Sequence, residues 1–92
     1  MSYINTIVGA ANALVYKGSY EASANSGSTV SGTFIDLKDQ IWTPPTENGD
    51  ALGYLFVCTS SGYFATEKVE VGDLIICKSE NPGNVLSRYM LV

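Results

Sequence analysis

Val69-Glu70-Val71-Gly72-Asp73-Leu74-Ile75-Ile76-Cys77-Lys78 reads as a short strand, a glycine turn and a buried strand in succession. Val69 and Val71 alternate with Lys68 and Glu70 at the two-residue period of a half-solvated strand. Gly72-Asp73 then supplies the backbone freedom and the short polar side chain that a turn needs. Leu74 to Cys77 is an unbroken apolar run, too short for a typical helix and β-branched at its centre, so it suits a strand covered on both faces.

Similar short runs flank this stretch. Leu14-Val15-Tyr16-Lys17-Gly18 predicts a first strand, extended past the glycine by Tyr20, and Ala22 to Gly32 is a loop rich in Ala, Ser, Asn, Gly and Thr, with too little apolar surface to order itself. Thr33 to Leu37 returns to strand character, and Ile41-Trp42-Thr43 runs into Pro44-Pro45, which lack amide donors and cannot continue a central strand. Gly53 to Thr59 predicts a second strong strand, Ser60-Ser61-Gly62 a turn that returns Tyr63-Phe64-Ala65 as a hairpin partner, and Arg88 to Val92 a closing strand. Short strands punctuated by Gly and Pro predict an all-β fold, a small β-sandwich or barrel of about six strands.

The chain of 92 residues is read as a β domain over residues 13–92 preceded by an arm or short helix over residues 1–12. Within the N-terminal stretch Ile4, Ile7, Val8, Ala11, Leu14 and Val15 recur at spacings of three and four, the stripe of an amphipathic helix. Gly9 weakens such a helix by roughly 1 kcal/mol relative to Ala, so order there calls for a neighbouring surface, and a flexible arm is the alternative. A domain of this size buries only roughly 60–65% of the surface its unfolded chain exposes. Ile4, Ile7, Val8 and Leu14 are therefore the expected docking or oligomer contacts.

Composition excludes several chemistries. The chain has no histidine, which removes Ser-His-Asp and Cys-His arrangements and the usual general base. Cys58 and Cys77 lack metal-ligand spacing, so neither a metal nor a cofactor is expected. The two thiols could be neighbours in one sheet and form a bridge, but free, buried thiols in a reducing compartment are the preferred expectation. Scattered carboxylates, among them Asp36, Asp50, Glu67 and Asp73, form no recognisable acid–base pair, and no glycine-rich loop is followed by the Lys-Ser or Lys-Thr of a phosphate cradle. A formal net charge of −4 disfavours a phosphate backbone as partner, and no apolar run approaches a membrane span. Charged residues make up only 15% of the chain, leaving an uncharged polar surface. Among the aromatics Trp42, Tyr54 and Tyr63 are candidate glycan contacts, with Trp42 beside the proline loop as the platform; core packing is the competing use.

Two stretches together carry a family likeness. Leu14-Val15-Tyr16-Lys17-Gly18-Ser19-Tyr20-Glu21-Ala22-Ser23-Ala24-Asn25 and Val69 to Lys78, with the lead-in Gly9-Ala10-Ala11-Asn12-Ala13 and the central Gly53-Tyr54-Leu55-Phe56-Val57, resemble a small β module of tailed-bacteriophage virion proteins. That module occurs in fibre, head-decoration and tail-accessory proteins. This chain departs from it in the longer, more apolar Phe34 to Pro45 segment and in Tyr89, where the module usually has tryptophan. The resemblance implies a non-enzymatic virion structural protein, made in the host bacterial cytoplasm. It would dock on capsid or tail subunits and anchor or form part of a fibre or decoration, as a homo-oligomer without nucleic acid or membrane partners. A carbohydrate-binding or host-adhesion module, contacting a host surface glycan through the exposed aromatics, is the alternative.

Overall fold

A computed structural model describes residues 14–92. Among the described residues there are eight strands, β1 (Val15–Glu21), β2 (Thr33–Asp36), β3 (Ile41–Trp42), β4 (Tyr54–Ser60), β5 (Gly62–Phe64), β6 (Glu67–Val69), β7 (Leu74–Cys77) and β8 (Tyr89–Leu91), with one 3₁₀ turn at Leu86–Arg88. Six of them form a mixed sheet in the order β3-β2-β1-β4-β7-β8, and β5-β6 forms a separate hairpin. The described residues form an all-β fold, as expected. Expected residues Ile4, Ile7 and Val8 lie outside the described residues.

The pairing departs from local expectation in one place. Ser60-Ser61-Gly62 does turn the chain, but β5 pairs with β6 rather than returning along β4. The reason is that both hydrogen-bonding edges of β4 are already filled, by parallel β1 on one side and antiparallel β7 on the other. Displaced from the sheet, β5 crosses toward the loop after β1, where Ser23 and Tyr63 exchange backbone hydrogen bonds of 3.0 and 2.8 Å. An added Cβ on Gly62 would stand 2.5 Å from the Ser23 carbonyl oxygen, so this approach needs glycine.

The segment that runs into Val69-Glu70-Val71 is also shorter as a strand than its alternation predicts. β6 stops at Val69, and Val71 is 67% exposed in the turn that follows. Asp73 closes that turn: its carboxylate accepts the Glu70 N–H at 2.8 Å, and its own N–H donates to the Glu70 carbonyl at 3.1 Å. Gly72 has a φ of +93°, the left-handed value that the third position of such a turn demands. Its N–H donates to Cys58 O, and Cys58 N–H donates to Asp73 O, so the turn is clipped to β4 before β7 begins.

Gly18 has a different role. β1 is bulged between Tyr16 and Gly18, and a Cβ on Gly18 would lie on top of the Ile35 carbonyl oxygen. Glycine at the end of Tyr16-Lys17-Gly18 thus lets β2 approach β1 at the bulge.

Register sorts the side chains into two faces. The inner face carries Trp42, Phe34, Tyr20 and Cys58 in one row across β3, β2, β1 and β4, and Phe56, Ile75 and Leu91 in another. The β5-β6 hairpin adds Phe64 and Val69 to this core. Phe34 is its hub, with ring centroids 4.6 Å from Phe56, 5.0 Å from Tyr20 and 5.9 Å from Tyr89. Tyr20 is fully buried yet satisfied, since its hydroxyl donates to Tyr63 O at 3.0 Å and accepts the Gly32 N–H at 3.1 Å.

Candidate functional site

The loop that ends at Gly32, the Pro44-Pro45 segment and the Gly83-Asn84 turn converge at the β3 edge of the sheet. They enclose an open cleft of about 430 Å³. Its lining includes apolar Phe34, Trp42 and Pro44 together with polar Thr33, Thr46 and Asn84. No ionisable side chain lines it. Its walls are pinned by backbone hydrogen bonds, Val30 N–H to Asn84 O at 2.9 Å and Gly83 N–H to Pro45 O at 3.0 Å. Gly32 is required at one wall, because a Cβ there would collide with the Tyr20 hydroxyl.

Trp42 is half-buried. One side of its indole rests on Phe56, with centroids 4.9 Å apart, and Tyr54 lies 5.8 Å away. Trp42 and Tyr54 are therefore brought together, but the Lys17 ammonium sits 4.9 Å above the Tyr54 ring and occupies it as a cation–π partner. Burial, followed by the neighbouring Asp50 carboxylate, pushes the Tyr54 hydroxyl above its ordinary pKa. Tyr63 stands apart on the second sheet, where its ring faces the Lys68 ammonium at 5.8 Å. Of the three aromatic candidates, only Trp42 lines the cleft. Thr33, Thr46 and Asn84 carried no signal in the sequence, because three separate segments must meet before they share a wall.

The outer face of the sheet is a second candidate surface. One register row runs Ile41, Ile35, Ser19, Val57 and Leu74, and a second runs Tyr16, Leu55, Ile76 and Met90. Leu14, expected as a docking residue, packs with Leu55 and Met90 against Ile76. Exposure is graded across the face, from Ile76 at 0% to Ile41 at 75%.

The thiols are both free and buried. They share the sheet but not a register position. Cys58 N–H bonds to Asp73 O, whereas Cys77 O accepts from Gly53 N–H. One step beyond the Leu55–Ile76 pair, the β4–β7 register brings Cys77 level with Tyr54, four residues along β4 from Cys58, or about 13 Å at ~3.3 Å per residue, too far for a bridge. Burial pushes the Cys77 thiol up to about 12 and also raises that of Cys58, which removes thiolate character from both.

At the β2-β3 turn the Asp36 carboxylate accepts the N–H groups of Lys38 and Gln40 at 2.8 and 3.0 Å. The Gln40 bond is the largest cause of an Asp36 pKa below the ordinary carboxylate value, with the Lys38 bond and the charges of Lys17 and Lys38 adding to it. Among the described residues no three potential metal-ligating side chains cluster, and no helix is long and apolar enough to cross a membrane.

No family model, curated protein or solved structure matches this chain.

Proposed function

We propose that this chain is a non-enzymatic structural module of a tailed-bacteriophage virion that docks on capsid or tail subunits and anchors or forms part of a fibre or decoration. One observation carries the assignment. The stretches that resemble the phage module, Val15 to Glu21, Tyr54 to Val57 and Leu74 to Cys77, are adjacent as the central strands β1, β4 and β7. Their distinctive residues serve the junctions between those strands and their neighbours: Gly18 admits β2, and Gly72-Asp73 clips β7 to β4.

The apolar outer face supports docking as the mode of action, because contiguous apolar surface on a small domain favours burial against a partner. Leu14, the expected docking residue among those described, packs on that face. Two experiments test the proposal. Reading frames beside the gene should encode capsid, portal or tail proteins; a metabolic neighbourhood would overturn the virion assignment. Light scattering after size-exclusion chromatography should show an oligomer that is lost on deletion of residues 1–12. An unchanged oligomer, with virion-partner binding retained, would sink the docking segment.

A further inference from the structure

We propose that the cleft beside Trp42 binds a neutral pyranose, a mono- or disaccharide unit, with the indole as stacking platform and Thr33, Thr46 and Asn84 as hydroxyl-reading groups. This does not rest on the virion assignment and would hold for the domain in any setting. It also differs from a platform built on Trp42, Tyr54 and Tyr63 together, since Lys17 occupies the Tyr54 ring and Tyr63 lies on the other sheet.

The cleft volume of about 430 Å³ lies within the ~300–1,000 Å³ usual for small-molecule sites, which combine an apolar lining with a few placed polar groups. A pyranose has that same division, with apolar C–H faces and a hydroxylated rim. Here the indole supplies an apolar face, while threonine hydroxyls and the Asn84 amide both donate and accept. The absence of any ionisable group in the lining matches an uncharged ligand and disfavours sialic or uronic acids and phosphosugars, whose charge would go unpaired. A proline-rich peptide is the competing occupant of an aromatic groove, but such peptides dock on grooves lined by several aromatics, and this cleft offers one half-buried indole over the buried Phe34. The pinned walls mean that little order must be gained on binding.

Trp42 is the single tryptophan of the chain, so its fluorescence reports the site directly. The full chain would be titrated with glucose, galactose, N-acetylglucosamine and their β-linked disaccharides, followed by indole emission and by ¹H–¹⁵N spectra. At least one sugar should give a saturable emission change, with amide shifts concentrated at Thr33, Thr43, Thr46 and Asn84. Asn84→Ala and Thr46→Val, both at exposed positions, should keep the fold and each weaken binding by about threefold to tenfold. Trp42→Ala, followed by the spectra alone, should weaken it by at least about tenfold. Three results would overturn the proposal: no saturable change with any sugar, shifts that map away from the cleft, or wild-type affinity in both rim variants. Saturation of the same signals by a proline-rich peptide, with none by sugars, would assign the cleft to peptide instead.

Discussion

On the inner face of the six-stranded sheet, Tyr20, Phe34, Phe56 and Ile75 are sealed beneath the β5-β6 hairpin and the loops, while on the outer face similarly apolar Ile35, Ile41, Val57 and Leu74 keep part or most of their surface in contact with solvent. Strand period alone makes the two faces nearly equivalent, since β4 and β7 are apolar at consecutive positions. The difference comes from what covers them. The chain closes the inner face with its own second sheet and an aromatic cluster, and it leaves the β2-β3 end of the outer face open. Apolar surface that folding has already buried contributes stability, whereas apolar surface left in water is available for association.

Substitutions on the two faces should separate these roles. Phe56→Ala, which removes a fully buried ring touching both Phe34 and Trp42, should destabilise by about 3–5 kcal/mol in urea unfolding. A loss below ~1 kcal/mol would show that the inner cluster is not the stabilising core. On the outer face Ile76→Ala should cost about 2–4 kcal/mol, because this side chain is buried against Leu14, Leu55 and Met90. Ile41→Ser, at the opposite end of the same face, should stay within about 0.5 kcal/mol of the parent while weakening self-association in light scattering. Equal costs for Ile76 and Ile41 would erase the gradient between the two ends.

The smallest expected effect concerns the turn that positions the exposed end. The carboxylate of Asp36 is held charged by backbone N–H groups, so its folded pKa lies below its unfolded one. Its contribution is therefore present above the ordinary carboxylate pKa and is lost as pH falls through the lowered folded value. Asp36→Ala should lower Tm slightly at neutral pH and reduce the fall in Tm seen on acidification below about pH 4. Identical acid profiles for parent and variant would remove the turn from the account.

Much of the strand layout was legible because it is local. Apolar runs at Tyr54 to Cys58 and Leu74 to Cys77, the Pro44-Pro45 stop and the Gly72-Asp73 turn each declare themselves within a few residues. The Ser60-Ser61-Gly62 turn was equally local, yet it misdirects: a turn residue says that the chain reverses, not which strand it will then pair with. Of the candidate site, Trp42 was legible as an aromatic beside a proline loop. Its neutral polar rim was not, because Thr33, Thr46 and Asn84 come from segments far apart in sequence.

By itself, then, the sequence determined an all-β chain, the places where its strands start and stop, and the glycines and aspartate that shape its turns, since these follow from backbone dihedral preference and side-chain period. The tertiary structure alone decided that β1 and β7 would fill the two edges of β4, that the hairpin would cover one face, and that a neutral cleft would open beside Trp42. Those outcomes depend on competition among strands for hydrogen-bonding edges and on contacts between distant segments, neither of which any short stretch encodes.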